Sequence, residues 1–317
     1  MRKFKLFFIL IITIFALQIN PVPSIDGTKI IIPNDFSGEL KYENYSSLEE
    51  RIYKFDNVSI IGKDQSGIYN MYCIELGEKE KPTILVEAGI HGSEWQGTMY
   101  SMKFMEELRD GTFPDKAFRN KLLDHFHIVY IPVVNPWGYD RTIPMNLFSG
   151  RYNSTGTDLN RDFYKFTQAE SRNVKTKMDE FKPFAFLDIH MMQSNFDASG
   201  GNNIAMGYGQ TQTKQVFDSF AKLLSQYSGQ SITKWRAPPY ENPINTGLAR
   251  TYMRNQTNPY TPYTLSYIIE LAKPVKRTTG LDAPLSDSQI MKYGMAGMYL
   301  FFYTSIMYFE EYNNNIK

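Results

Sequence analysis

The segment GIHGSEWQG (Gly89–Gly97) places a histidine and a glutamate three positions apart, at His91 and Glu94. These residues follow the apolar run PTILVEA, which has the length and composition of a buried β-strand. Imidazole nitrogens and carboxylate oxygens both bind divalent metal ions. The pair therefore indicates a metal site at a strand end, although an isolated His-x-x-Glu pattern often arises by chance.

A third ligand must come from elsewhere in the chain, which has only four histidines. His190 ends the apolar run PFAFLDIH, and Glu270 ends the apolar run TLSYIIEL. Ligands of open α/β sheets bind at the carboxyl ends of strands, so these groups could converge. His91, Glu94 and His190 would form the two-histidine, one-carboxylate set of a catalytic zinc ion. Glu270 would then be free to act as general base on the zinc-bound water.

Two further patterns leave alternatives open. His125 and His127, in HFH, also have metal-like spacing, but we interpret them as surface polar residues at the start of a strand. Asp188 lies two residues before His190 on the same strand and would point to the same face. Asp188 could act behind the histidine or beside the metal.

The segment GTDLNRDF supplies an amide and a guanidinium side by side, at Asn160 and Arg161. This pair suits recognition of a carboxylate, because arginine binds carboxylates as a two-pronged donor. Arg151 precedes Asn160 by nine residues and could stabilise a carbonyl oxygen as it becomes an oxyanion. Surface salt bridges are the alternative for either arginine alone.

Taken in order, the motifs GIHGSEW, IPVVNPWGY, TDLNRDF, DIH and IIEL resemble the zinc carboxypeptidase family, from roughly Ile60 to the C-terminus. The resemblance implies an α/β fold with a mixed, mostly buried eight-stranded sheet flanked by helices. It also implies one zinc ion and a peptide substrate with a free C-terminal carboxylate. We therefore predict a metallocarboxypeptidase that hydrolyses the C-terminal amide bond of peptides.

The resemblance also implies a role for each site residue. The implied metal ligands are His91, Glu94 and His190, and the implied general base is Glu270. Arg151 would polarise the scissile carbonyl, and the substrate carboxylate would be bound by Asn160, Arg161 and a mobile tyrosine. Tyr240 lies about where that tyrosine should fall, with Tyr252 as its rival.

Some features depart from the family pattern. Trp137 stands where aspartate is common, and DIHMM lacks the usual serine. The DIH motif after DLNR is also similar to the aspartoacylase and succinylglutamate desuccinylase branch of the superfamily. A deacylase of N-acyl amino acids is therefore an alternative function.

The specificity pocket is less defined by the sequence. Gly247 and Leu248 favour a small or apolar side chain. Arg250 could instead bind an acidic group, as in a cell-wall peptide of the γ-glutamyl-diamino acid type, or it could face solvent.

The elements that must position these residues alternate between strands and helices, which predicts an α/β fold. Strands are predicted over residues 66–76, 82–89, 127–136, 183–190 and 264–271, the first with Cys73 buried. Helices are predicted from Glu94 to Gly111, over residues 163–182 and 214–227, and from Ser286 to Tyr312, the last packing on the sheet.

Composition limits the partners and the location. The 317-residue chain has 42% hydrophobic residues and a formal net charge of +1, so no nucleic-acid partner is indicated. Residues 1–24 combine a basic start with an apolar run from Leu6 to Ile19, which is typical of a signal peptide or an uncleaved N-terminal anchor. Residues 25–55 form a short N-terminal segment, and residues 56–317 form the predicted zinc peptidase domain. We expect a secreted monomer, with membrane anchorage through the N-terminus as the alternative.

Overall fold

The computed structural model describes residues 30–146, 148–193, 201–236, 247–277, 280–282 and 284–316. In this part of the chain, eight strands form one mixed sheet, which confirms the predicted architecture. The strands of the sheet are β1 (Val58–Lys63), β2 (Asn70–Leu76), β3 (Thr83–Ala88), β4 (His127–Ile131), β5 (Ala185–Gln193), β6 (Ile204–Tyr208), β7 (Ile232–Arg236) and β8 (Leu265–Lys273). Two short strands, β9 (Val275–Arg277) and β10 (Gly280–Asp282), form a separate antiparallel pair.

The order of strands across the sheet is β1-β2-β4-β3-β5-β8-β6-β7. The central strands β4, β3, β5 and β8 run parallel to one another, whereas β1, β2 and β6 pair antiparallel with their inner neighbours. Because β3, β5 and β8 are parallel neighbours, their carboxyl ends meet at one edge of the sheet. The residues at or just after the ends of these three strands, which include the predicted site residues, therefore lie close together at this edge.

Helices cover both faces of the sheet. They are α1 (Tyr45–Ile52), α2 (Trp95–Asp110), α3 (Lys116–His125), α4 (Pro136–Asp140), α5 (Ala169–Phe181), α6 (Lys214–Ser228), α7 (Ala249–Arg254) and α8 (Asp287–Ile316). The larger apolar core includes residues of α1, α2, α6 and α8, and a smaller core on the other face includes residues of α5 and α7. Alternate residues of the central strands supply the two cores, as expected for a sheet buried on both sides.

The long C-terminal helix α8 packs against α2, α3, α6 and strand β8, as its sequence predicted. Its side chains from Ile290 to Phe302 are mostly buried in the larger core. Within the described ranges, no helix has the length and apolar character that crossing a membrane requires.

Helix α2 follows its predicted bounds closely. Its apolar residues recur at helical spacing, and Gly111 ends it in the left-handed conformation with φ of 68°. Glycine adopts this conformation without a steric penalty, which explains the sharp C-terminus. The first residue of α2 directly follows Glu94, so the helix is anchored to the candidate site.

The predicted start of α5 is wrong. The pattern over residues 163–182 predicted one helix, but α5 begins only at Ala169. The buried Asp162 carboxylate accepts hydrogen bonds from the backbone N–H groups of Thr167 and Gln168 and from the hydroxyl of Ser171. These bonds hold the chain in a turn, and Phe166 there has a positive φ of 53°. Local side-chain capping therefore overrides the helical spacing.

The interpretation of His127 as a surface residue is also wrong. His127 is fully buried on β4, where Nε2 contacts Glu75 Oε2 at 3.0 Å and Nδ1 contacts Thr83 Oγ1 at 3.2 Å. His125 lies near the surface, and its Nδ1 donates to the Lys121 carbonyl. Cys73 is buried on β2, as predicted. Strands β1, β6 and β7 of the sheet were not predicted, since β1 is only partly buried and β6 and β7 have just five residues each.

We predict that Asp162→Ala lowers the free energy of unfolding by about 2–3 kcal/mol, because two backbone N–H groups and the buried Ser171 hydroxyl lose a charged acceptor. Urea unfolding followed by circular dichroism measures this change. Asp124→Ala is the control, since Asp124 is exposed on α3. Equal midpoints for the two variants would show that the Asp162 turn does not stabilise the fold.

Candidate functional site

The site lies at the common carboxyl edge of β3, β5 and β8. In the parallel pairing of β5 with β8, His190 is the partner of Glu270. Paired residues of neighbouring strands point to the same face, with the strands about 4.8 Å apart. The sheet register alone therefore places the predicted base beside a predicted ligand.

A glycine-rich turn brings the other two predicted ligands to this edge. After β3, the chain reverses through Gly89 (φ 64°) and a 3₁₀ turn over Gly92–Glu94. A Cβ atom on Gly92 would lie only 2.1 Å from the backbone nitrogen of Tyr139. No other residue fits that approach, so Gly92 allows the turn to pack on α4 and fixes His91 and Glu94.

The three predicted ligands converge. Ligand atoms of His91, Glu94 and His190 lie within 4.8 Å of one another, and this group could hold a metal ion. Glu94 Oε1 is 2.8 Å from His91 Nδ1, and Glu94 Oε2 is 3.0 Å from His190 Nδ1. Glu94 Oε2 also accepts the backbone N–H of Met191 at 2.9 Å. All three side chains are buried.

The residues behind the histidines fit a metal site. His91 Nε2 is hydrogen-bonded to Asp158 Oδ1 at 3.0 Å, whereas His190 Nε2 lies 2.9 Å from Asp188 Oδ1 without hydrogen-bond geometry. Histidines that bind metals usually face a carboxylate with their second ring nitrogen, which fixes the ring and its tautomer. Both Nδ1 atoms are thereby directed towards Glu94, and the two-nitrogen, one-carboxylate donor set suits zinc.

The carboxylate of Glu94 is an anion despite its burial. Burial raises its pKa, but the charges and hydrogen bonds of His91 and His190 outweigh this effect and hold the pKa well below its usual value. A buried anion requires a positive partner. In this site a cation held between the two histidines and Glu94 would be that partner.

Glu270 differs from Glu94 in its environment. Burial raises the pKa of Glu270, and the charge of Glu94 raises it further, while His190, Arg250 and His91 oppose the shift. Two neighbouring carboxylates with opposite shifts are typical of sites in which one group binds and the other exchanges protons.

The predicted cationic and amide residues surround this group. Arg151 Nη1 lies 3.4 Å from Glu94 Oε1, and Arg151 Nη2 donates to Asp158 Oδ2 at 3.1 Å. Asn160 Nδ2 lies 3.4 Å from His190 Nε2, and the buried Asn160 Oδ1 has no hydrogen-bond partner in the described part of the chain. Arg161 is exposed at the rim, and its Nη1 donates to the Asn160 carbonyl.

The structure describes only one of the two candidate tyrosines. Tyr240 lies outside the described residues. Its rival Tyr252 is turned away from the ligands, since its hydroxyl donates to Asp179 of α5 at 2.6 Å and its ring packs on Phe166. Tyr252 is therefore a packing residue of α7.

Three charged residues of this region were not assigned by sequence reasoning. Asp158 lies within the quoted motif TDLNRDF, so its proximity to Asn160 was the available signal. Lys273 is buried, donates from Nζ to the Ser93 carbonyl at 2.8 Å, and has its pKa lowered to about 8 by burial. Glu87 is fully buried beside Asp188 in the β3–β5 register, and burial followed by the charge of Asp188 raises its pKa well above the usual value. No local pattern distinguished Lys273 or Glu87.

Comparison with known proteins agrees with this geometry. The zinc carboxypeptidase family model matches residues 52–266, about two thirds of the chain. The chain belongs to the zinc carboxypeptidase family. Its fold is similar to that of a metallo-carboxypeptidase from Burkholderia cenocepacia (TM-score 0.62, 17% identity, 82% of this chain and 68% of that chain). It is also similar to the carboxypeptidase A from Helicoverpa armigera (TM-score 0.61, 18% identity, 84% of this chain and 74% of that chain).

The relatives found by sequence match a smaller part of this chain than the solved structures do. Carboxypeptidase B2 of Bos taurus is 30% identical over 142 residues, which is 38% of this chain and 33% of that protein. Carboxypeptidase 2 of Trichophyton tonsurans is 26% identical over 117 residues, which is 37% of this chain and 20% of that protein. The matched region thus spans a fifth to a third of the length of these relatives.

We predict that Asp158→Asn weakens zinc binding by about 10–100-fold, because the carboxylate behind His91 fixes the ring and raises its basicity. Competition with a chromophoric zinc chelator measures the dissociation constant. Asp124→Asn removes an exposed carboxylate from α3 and serves as the control. An unchanged dissociation constant in Asp158→Asn would exclude this role.

Proposed function

We propose that the protein is a zinc metallocarboxypeptidase that removes the last residue from peptides with a free C-terminal carboxylate. The observation that carries the proposal is the convergence of His91, Glu94 and His190 at one sheet edge, with Glu270 paired to His190 in register. Membership of the zinc carboxypeptidase family supports the same chemistry. The proposed ligands and base come from β5, β8 and the turn that follows β3, near the carboxyl ends of three parallel strands, where ligands of α/β sheets bind.

The zinc ion would be held by His91 Nδ1, His190 Nδ1 and the Glu94 carboxylate. When bound, zinc lowers the pKa of a coordinated water and polarises a carbonyl oxygen. Asp158 holds the His91 ring from behind through a hydrogen bond, and Asp188 lies 2.9 Å behind the His190 ring. The carboxylate of Glu94 is already oriented by the Met191 backbone N–H.

Glu270 is the proposed general base. Its carboxylate takes a proton from the attacking water and returns that proton to the amine that leaves when the amide bond breaks. A raised pKa suits both steps, because the group must accept the proton and then release it.

Arg151 is the proposed donor to the scissile carbonyl oxygen. Burial lowers the pKa of Arg151, but the charges of Glu94 and Asp158 outweigh this and raise it, so the guanidinium stays charged. Asp158 also orients the guanidinium, through the bond from Nη2. A fixed cation at this position would stabilise the oxyanion as the negative charge develops.

Asn160 and Arg161 are the proposed binders of the substrate carboxylate. Asn160 presents its amide near His190, and Arg161 lies at the exposed rim, where an incoming C-terminus would meet it. Tyr240 remains a predicted third contact. Export also remains a prediction, since the leader over residues 1–24 lies outside the described part of the chain.

We predict that Glu270→Gln retains zinc and loses kcat by about 10²–10⁴-fold, because the amide cannot accept the proton. Zinc content by mass spectrometry and turnover of a blocked peptide are measured on the same sample. Glu311→Gln on α8 controls for the change of charge. Near wild-type turnover in Glu270→Gln would contradict this mechanism.

A peptide acid and its matching C-terminal amide test whether the protein recognises the C-terminal carboxylate of its substrate. Because Arg161 would bind the terminal carboxylate, we predict cleavage of a peptide acid at least about 100-fold faster than of its C-terminal amide, with the preference lost in Arg161→Gln. Release of the last residue is followed by chromatography. Cleavage of an N-acyl amino acid alone would identify a deacylase, and equal cleavage of acid and amide would show that Arg161 does not bind a C-terminus.

A further inference from the structure

Arg250 is buried beside the candidate active site, although the sequence left a solvent-facing position open. The residue is only 8% exposed on α7, a helix that packs against β5 and β8. Its carbonyl oxygen accepts a hydrogen bond from Ser266 Oγ of β8 at 2.8 Å. Its helix neighbours Ala249 and Met253 belong to the smaller apolar core, so the helix is firmly seated on the sheet.

The guanidinium of Arg250 is incompletely satisfied. Its Nε has no hydrogen-bond partner among the described residues. Burial lowers the pKa of Arg250, and the charges of Asp188 and Glu270 only partly oppose that effect. A buried cation with an unused donor is costly, and such a group calls for a specific partner.

The position of this donor follows from the neighbouring strands. A Cβ atom on Gly207 of β6 would lie 3.6 Å from Arg250 Nε and 2.8 Å from Ile268 Cγ2 of β8. Gly207 is paired with Ile268, which shares a face with Glu270 two residues further on. The guanidinium therefore lies on the same face of the sheet as His190 and Glu270, over the strand beside β8.

The chain before α7 connects Arg250 to the predicted carboxylate binder. A Cβ atom on Gly247 would lie 2.1 Å from the Arg161 carbonyl oxygen, and the Gly247 carbonyl accepts the backbone N–H of Phe163 at 3.0 Å. The charge of Arg161 contributes to lowering the pKa of Arg250, although less than burial does. One arginine is exposed at the rim and the other is buried against the sheet.

Two separate cations beside one catalytic centre match a substrate residue with two carboxylates. We propose that Arg250 binds the side-chain carboxylate of the last substrate residue while Arg161 binds its terminal carboxylate. The protein then prefers peptides that end in Glu or Asp. This inference rests on the proposed carboxypeptidase function and names its substrate class.

The bound carboxylate would supply the acceptor that Arg250 Nε lacks. Glutamine has the same shape as glutamate but no charge, so it leaves the buried guanidinium uncompensated. A site built around a charged hydrogen bond discriminates strongly against such an analogue. A C-terminal leucine in the substrate would leave Arg250 Nε without an acceptor and would also exclude water from it.

The test uses zinc-loaded full-length protein and three blocked tripeptides that differ only in a C-terminal Glu, Gln or Leu. We expect kcat/KM for the Glu peptide to exceed that for the Gln peptide by at least about tenfold. In Arg250→Gln, activity on the Glu peptide falls at least about tenfold, mainly through KM, while activity on the Gln peptide changes less than about threefold. Arg254→Gln, which removes a positive charge from the same helix, keeps the wild-type preference.

The outcomes separate this inference from the function on which it rests. Equal or faster cleavage of the Gln or Leu peptide by the wild-type protein overturns the acidic preference and leaves the carboxypeptidase function intact. An equal loss on all three peptides in Arg250→Gln, with zinc retained, shows a structural role for Arg250 and also overturns the inference. Cleavage of none of the three peptides by the zinc-loaded wild-type protein rejects the proposed function, and the inference with it.

Discussion

The buried carboxylate of Glu94 is the constraint on which the rest of this site depends. An anion in a protein interior is unfavourable unless positive groups and hydrogen-bond donors surround it. Here the carboxylate is reached by two imidazole Nδ1 atoms, one backbone N–H and one guanidinium. Each of these groups is held in place by another segment of the chain. The position of Glu94 therefore determines where the end of β3, strand β5 and the loop that carries Arg151 must meet.

Charged groups of alternating sign extend outwards from the Glu94 carboxylate. Asp158 lies between His91 and Arg151 and contacts both. On the other side, Asp188 lies next to His190, with Glu87 beside it in the sheet. The charges of both Asp188 and Glu270 act on Arg250. Arg250 therefore belongs to the charge network of the site, yet it keeps a donor that no described residue uses.

The sequence predicted the elements that carry chemistry better than those that support them. Helix α2 and strands β3, β5 and β8 have strong apolar patterns, and each was placed within a few residues. The N-terminus of α5 was misplaced because the Asp162 carboxylate accepts hydrogen bonds from the turn before the helix. Hydrophobic periodicity does not reveal hydrogen bonds between a side chain and the backbone. His127 was misread because its partners, Glu75 and Thr83, come from two other strands.

By itself, the sequence predicted the candidate ligand set, the candidate base and the strands near whose carboxyl ends they lie. Those features are local, since each is a motif of a few residues after an apolar run. Only the tertiary structure decided which neighbours complete the site. The involvement of Asp158 and Lys273, the burial of Arg250 and the outward position of Tyr252 depend on which strands pair and in what register. Sheet register is set by long-range packing of both faces at once, and no local window of the sequence contains that information.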